Sequence, residues 1–241
     1  MKNRFKEIFS DVFEKNGLHP YINDENTEKF WNLTQLMLET NAVMNITAIT
    51  DVEKIIPLHY ADCVKIAELI PQNAKVADIG CGGGFPILPL AIVRPDLQLI
   101  GIDSTEKKAR YVRETAGKLN LKVETVAGRA EELAKDANMR QCFDIVISRA
   151  VARLNILDEL CMPFVKPNGY FIAMKGAAGM EEYKEAESGI NKLGGVLAKA
   201  EQYELLTVDQ KEQRTVFVIQ QNKQVPDAYP RSFANMKKKP L

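Results

Sequence analysis

No stretch of the 241 residues approaches the run of ~18 apolar side chains that a membrane-crossing helix needs. The N-terminus, Met1 to Ser10, mixes Lys, Arg and Glu with Phe and lacks the apolar stretch of a secretory leader, so a cytoplasmic protein is expected. There is no excess of either charge. Lys plus Arg and Asp plus Glu both number 32, which excludes a basic coat for nucleic acid; any polyanion must be met by a local patch. No two of the four cysteines, Cys63, Cys81, Cys142 and Cys161, have CxxC spacing, so neither a zinc knuckle nor a redox pair is supported. Reduced thiols are the plain reading. His59 and Cys63 stand four apart on an expected helix, but two ligands without nearby partners are not a metal site. They read as packing or polar surface groups, and no metal is expected. Internal repeats and low-complexity tracts are also absent. What remains is 46% apolar and 27% charged, enough for a substantial core and unlike a disordered or fibrous chain.

The grammar of the chain divides it into 1–72, 73–222 and 223–241. The first part reads as helical. Phe5, Ile8, Phe9, Val12 and Phe13 form one stripe that Gly17 should stop. Phe30, Leu33 and Met37 form another behind possible caps at Asp24 and Thr27, with Phe30 and Trp31 read as core. Thr50 to Glu53 has capping-box spacing, and Pro57 must kink the helix it opens or lie in its first turns. Short apolar runs then alternate with helical patterns: 75–79, 97–102, 122–126, 143–148, 170–174, 196–198 extending towards 206, and 215–219. That alternation predicts a mostly parallel sheet covered on both faces. Asp209 to Gln213 is too short for a crossover, so the last two strands should pair antiparallel. The tail from Ala228 carries Arg231, Lys237, Lys238 and Lys239 and no acid.

The informative stretch is Val76 to Pro86, in which an apolar strand ends at Asp78 and enters a turn with Gly80, Gly82, Gly83 and Gly84. Four glycines in five positions would waste backbone entropy unless something approaches the backbone closely. In an open α/β sheet this turn lies at the edge where ligands bind. A dinucleotide fingerprint fails in both frames, because Phe85 or Ile87 stands where the third glycine belongs, and no P-loop Lys follows. The remaining pattern, D-x-G-x-G-x-G over Asp78, Gly80, Gly82 and Gly84, resembles motif I of class I S-adenosylmethionine (SAM) methyltransferases.

Three further places fit. Asp103 ends the next strand 19 residues after Gly84, where a carboxylate accepts ribose hydroxyls; it would serve equally as a helix cap ahead of Lys107 and Arg110. Val126 to Glu132 follows the third strand, where such folds meet the adenine with a small residue, Ala130, and a polar neighbour, Glu131. Glu131 also suits the first turn of a helix. The fourth strand ends at Arg149, with Arg153 a helical turn on and no general base. Two cations beside a sulfonium require an anion to share the site; otherwise the pair is an ordinary helix start with salt bridges.

Together these residues make the chain similar to the RsmG (GidB) family, the bacterial guanine-N7 methyltransferases of 16S ribosomal RNA. The similarity runs through Asn45 to Ile49, His59 with Asp62, Asp78 to Pro86 with Pro89-Leu90, and Asp103-Ser104. It continues in Gly128 to Glu131, Ser148 to Ala152, Lys175-Gly176 and Tyr229-Pro230-Arg231. The resemblance implies a Rossmann-like α/β fold with a seven-stranded, mostly parallel sheet, its last strand antiparallel, after an N-terminal helical segment. It implies SAM as cofactor, with contacts carried onto Gly80, Phe85, Ala130, Glu131 and Arg149. It implies 16S ribosomal RNA or the small subunit as partner, and a monomer is expected. Where the family tail has Pro and Gly after Tyr-Pro-Arg, this chain has Ser232 to Asn235.

The missing base fits an N7 target, because N7 carries an in-plane lone pair and no proton at neutral pH; alignment is then the main contribution. The guanine must be unstacked. Arg153 and Lys175, with Lys237, Lys238 and Lys239, are the candidate phosphate contacts. Two other classes stay open: a SAM methyltransferase for a small molecule or protein, and a non-catalytic ribosome-binding factor. Intact Asp78, Gly80, Gly82, Gly84 and Asp103 argue against the last.

Overall fold

The computed structural model describes all 241 residues. The chain begins with α1 (Lys2–Lys15), whose Phe5, Ile8, Phe9, Val12 and Phe13 are all buried. Gly17 ends it at φ +69°, a conformation that glycine adopts without strain. In α2 (Asp24–Asn41) the cap is Asn23, not Asp24 or Thr27. Asn23 is the last extended residue, and its side chain accepts from the Asn26 amide at 2.8 Å. Likewise Asp51, not Thr50, caps α3 (Val52–Ile55), accepting from the Glu53 amide at 3.0 Å. Pro57 has no N–H to continue the helix, so the chain widens into a π turn over Ile56–Ala61 before α4 (Asp62–Val64). The Asp62 amide reaches back to the Pro57 carbonyl.

The alternating region gives β1 (Lys75–Ile79), α5 (Ile87–Val93), β2 (Gln98–Asp103), α6 (Glu106–Lys118) and β3 (Val123–Ala127). It continues with α7 (Ala130–Leu133), β4 (Phe143–Arg149), α8 (Leu154–Cys161), β5 (Val165–Lys175), α9 (Gly179–Lys192), β6 (Gly195–Leu206) and β7 (Lys211–Gln221), and α10 (Phe233–Lys238) lies in the tail. The sheet order is β3-β2-β1-β4-β5-β7-β6. β7 is antiparallel to both its neighbours, and the other pairings are parallel, as the sequence predicts. The chain leaves β1 for β2 and β3 on one side and returns to β4 on the other. The crevice that this reversal opens lies beyond Ile79 and Arg149, the carboxyl ends of the two central strands.

Period-two alternation assigns the two faces. Val76, Ile145, Ile147 and Ile172 pack with the N-terminal helices, α5 and α6; Ala77, Ile79, Val146, Phe171 and Phe217 pack under α8, α9 and the tail. Residues 1–72 therefore have no core of their own, since Phe5 and Val76 belong to one apolar cluster. Within it an aromatic series steps from Phe9 to Phe30 (5.2 Å between centroids), from Phe30 to Tyr60 (4.8 Å) and from Tyr60 to Phe85 (6.2 Å), reaching the crevice. Such pairs contribute about 0.5–1.5 kcal/mol each beyond burial. On the other face Glu159, fully buried, accepts from the backbone and guanidinium of Arg231 and anchors the tail.

Candidate functional site

The turn after β1 is held from below. The Gly80 and Cys81 amides both donate to the Ile102 carbonyl, at 2.8 and 3.0 Å. Gly80, Gly82 and Gly84 all have positive φ, and a Cβ on Gly80 would lie 2.3 Å from Val151 Cγ2. The loop after β4 thus rests directly on the glycine turn. Asp103 ties the turn to β2, because Oδ2 accepts from the Gly82 amide at 2.9 Å and Oδ1 from the Thr105 amide at 2.8 Å. Neither bond caps α6, whose N-cap is Thr105 with no side-chain bond; Asp103 instead fastens the two turns to each other, and that does not exhaust the carboxylate. Two oxygens offer about four acceptor positions, and two stay free towards the cavity that Asp103 lines.

That cavity has a volume of about 420 Å³ and is walled by Ile46, Thr47, the Gly80–Gly83 turn, Phe85, Asp103 to Thr105, Lys108 and Arg149 to Val151. The Gly83 amide beside it donates to no acceptor in the chain. A second cavity of about 670 Å³ adjoins it, and His59, Arg149, Ala150 and Val151 line both. Its far wall carries Asp62, Arg153, Lys175, Tyr203 and Arg214.

Arg149 organises the partition. Its guanidinium donates to the Leu58 carbonyl (2.9 Å), to Asp62 Oδ2 (2.7 Å) and to His59 Nδ1 (3.1 Å). A guanidinium only donates, so Nδ1 accepts and the ring proton sits on Nε2. Nε2 in turn donates to Thr47 Oγ1 at 2.8 Å, which also accepts from the Ile49 amide. The Thr47 hydroxyl proton is thereby left free on the cavity wall. Burial, followed by the Arg149 charge, pushes the His59 pKa down to about 3, so the imidazole stays neutral. His59 stacks on Phe85 with centroids 4.4 Å apart. Asp62 Oδ1 also lies 3.3 Å from the Tyr203 hydroxyl and 3.3 Å from Arg214 Nε. The anions that Arg149 and Arg153 require are therefore carboxylates of the protein, Asp62 for the first and Glu185 for the second.

Gly80, Gly82, Phe85, Asp103 and Arg149 come together around the smaller cavity. Asp78 lies fully buried beneath the turn, with neither oxygen in a hydrogen bond of good geometry, and burial raises its pKa to about 7 against the opposing pull of the Ile87 amide and Arg149. Gly84 packs against Leu88, and Ala130 and Glu131 line neither cavity; Glu131 is buried against Arg129 at 2.5 Å. Arg153 is clasped by Glu185 at 2.7 Å. Lys175 has only 7% of its side chain exposed and binds Glu182 and the Ala152 carbonyl. Lys237, Lys238 and Lys239 stand at the end of α10, outside both cavities. Of the two roles expected from sequence, packing or polar surface group, His59 has the first, buried and stacked on Phe85, and it also forms part of the partition. Cys63, fully buried with its thiol pushed up to about 12 by that burial, does fit a packing role. Thr47, Asp62, Tyr203 and Arg214 were not among the sequence candidates. No helix is long and apolar enough to cross a membrane.

The family model described as rRNA small subunit methyltransferase G (GidB) matches residues 26–222. The chain is 41% identical over 241 residues to the ribosomal RNA small subunit methyltransferase G of Clostridium novyi, covering 98% of both chains. Against the protein of the same name from Brevibacillus brevis it is 38% identical over 239 residues, covering 98% of this chain and 99% of the other. The chain belongs to the GidB family. The matched span contains every residue that lines either cavity and leaves out α1 and residues 223–241. Solved structures share the fold at low identity. TYW2 of Pyrococcus horikoshii in complex with MeSAdo superposes with a TM-score of 0.55 at 13% identity, over 69% of this chain and 64% of that one. A putative O-methyltransferase from Klebsiella pneumoniae gives 0.52 at 13%, over 79% and 90%. These likenesses establish the Rossmann-like methyltransferase fold for this GidB member.

Proposed function

We propose that this chain transfers a methyl group from SAM to N7 of a guanine in 16S ribosomal RNA. The observation that carries the reading is the pair of adjoining cavities, with Asp103, held by two backbone amides, in one and the Arg149 partition between them. The smaller cavity suits SAM. Asp103 keeps two acceptor positions for a pair of ribose hydroxyls, and the unpaired Gly83 amide and the Thr47 hydroxyl are donors for a carboxylate. When bound, SAM supplies an electrophilic methyl on a positively charged sulfur.

The protein's part is to align and to balance charge. Asp62, 2.7 Å from Arg149, neutralises the guanidinium before a sulfonium comes near it. The larger cavity receives the base, with Tyr203 and Arg214 on its far wall. No residue has to take a proton. His59 has both ring nitrogens engaged and is neutral, which suits a nucleophile whose lone pair is already free. In this reading residues 73–222 carry the chemistry, while 1–72 supply Thr47, His59 and Asp62 to the wall and 223–241 brace α8.

The test is incubation of the folded protein with methyl-labelled SAM and dissociated ribosomal components. Label in small-subunit RNA supports the reading. Label only in protein or in small molecules overturns it in favour of the other substrate classes.

A further inference from the structure

A protein with as many acids as bases needs a local patch to hold a polyanion, and the candidates Lys237, Lys238 and Lys239 stand at the end of α10, outside both cavities. Arg153 and Lys175 are held by Glu185 and Glu182. Free cations beside the smaller cavity lie on α6. Over Glu106–Lys118 five basic residues meet only two acids, Glu106 and Glu114. Lys107, Lys108, Arg113 and Lys118 form no ion pair, and Arg110 reaches Glu114 only at 3.8 Å.

The position of α6 matters as much as its charge. It starts three residues after Asp103, so Lys108 stands on the wall of the smaller cavity. Alongside it runs a groove of about 290 Å³. One bank carries Lys107, Arg110 and Lys118 with one acid, Glu114, among them, and the other is formed by Thr40 in α2 and by Val43 and Met44 just after it. Val43 is 88% exposed, a bare apolar side chain beside three cations. Three residues on, the same segment supplies Ile46 and Thr47 to the cavity wall. A strand laid in the groove is thus led towards the methyl-transfer site. The cations from Lys107 to Lys118 are spread along ~16 Å of helix, at 1.5 Å per residue.

The geometry points to the α2–α6 groove as the docking surface for the ribosomal RNA backbone, with Lys107, Arg110 and Lys118 on phosphates and Val43 against a sugar or base. This inference rests on the proposed RNA substrate and names the surface that presents it. Charge complementarity and continuity with the cavity select RNA over an apolar partner.

The experiment compares the parent with Lys107→Gln/Arg110→Gln/Lys118→Gln in binding to 16S ribosomal RNA across salt concentrations. All three side chains are exposed and outside the cofactor cavity, so folding and SAM affinity should match the parent. Each lost phosphate contact lowers the salt slope by about 0.7–0.9 and affinity about fivefold at 0.1 M salt, or about a hundredfold for three. A Lys237→Gln/Lys238→Gln/Lys239→Gln variant should lose far less. If the groove variant keeps the parent's affinity and slope while the parent methylates RNA, the surface assignment falls and the enzymatic reading stands. Loss of binding to the whole subunit but not to naked RNA would assign the groove to a ribosomal protein and overturn the RNA commitment. A folded parent that neither binds nor methylates the RNA would overturn both.

Discussion

Removal of the Asp62 carboxylate should destabilise the fold far more than a surface ion pair would. The Asp62 side chain is 6% exposed and that of Arg149 16%, and their atoms meet at 2.7 Å. Asp62→Asn keeps the shape and discharges one partner. Arg149 then retains the Leu58 carbonyl and His59 but no counter-charge, and Arg214 loses the same anion. Breaking a buried pair on one side costs about 3–5 kcal/mol, because the remaining charge stays desolvated. At this chain length each kcal/mol shifts Tm by about 2–4 °C, so a fall of about 6–20 °C is expected. Urea unfolding of the parent, Asp62→Leu, Arg149→Met and Asp62→Leu/Arg149→Met completes a cycle, with Asp62→Asn measured beside it. The double variant should regain most of the lost stability, since apolar replacement of a whole pair is often neutral. It should remain unable to methylate RNA if Arg149 also shapes the site. An Asp62→Asn protein within 1 kcal/mol of the parent would refute the reasoning, as would a double variant no more stable than Asp62→Asn.

Other outcomes follow from the same contacts. His59 folds with its pKa near 3, below the ordinary 6.5, so the unfolded chain binds the extra proton and stability falls as pH drops through that window, by up to about 1.4 kcal/mol per unit. Asp78, raised to about 7, acts with the opposite sign: its folded form holds the proton, and stability falls as pH rises from about 4 towards 7. The difference in unfolding free energy between parent and His59→Gln, measured from pH 7 to 4, isolates the histidine; a constant difference contradicts its neutral state. Asp103→Asn should weaken SAM by about 1.5–3 kcal/mol, roughly ten- to a hundredfold by calorimetry, and a change below threefold would leave Asp103 only the role of fastening the Gly82 and Thr105 amides. Gly117 lies in α6 with nothing within 4 Å of a built Cβ, so Gly117→Ala should raise the urea midpoint by the equivalent of about 0.5–1 kcal/mol. A lower midpoint would show a steric constraint there.

Much of the fold was legible because it rests on local periodicity. The strand runs were apolar over the right lengths, and Asp209 to Gln213 left room only for a hairpin. Helix starts were less legible. Asn23 and Asp51 compete with neighbouring Asp24 and Thr50 as caps, and only the backbone angles decide between them. The glycine turn and Asp103 could be read because their signal is a spacing within one strand–turn–helix unit. The partition could not. His59 takes its meaning from Thr47, 12 residues away, and from Arg149, 90 away. Tyr203 and Arg214 reach Asp62 because the β6–β7 register sets them opposite each other, and nothing in their neighbours announces it. Lys175 read as a free cation because its partner Glu182 lies on the following helix, α9. The Asn45–Ile46–Thr47 run and His59 with Asp62 were visible only as a family resemblance; the bonds that join Thr47, His59 and Asp62 through Arg149 supply the physical reason.

In the proposed reaction alignment alone places a methyl group on guanine N7. Nuclease digestion of 16S ribosomal RNA labelled by the purified protein and SAM, followed by mass spectrometry of the nucleosides, tests it most directly. Label is expected in 7-methylguanosine alone, with transfer unchanged from about pH 6 to 8 because no residue in the partition must exchange a proton. Label on a different atom or base, or a transfer rate that rises with the deprotonation of a side chain, would contradict it.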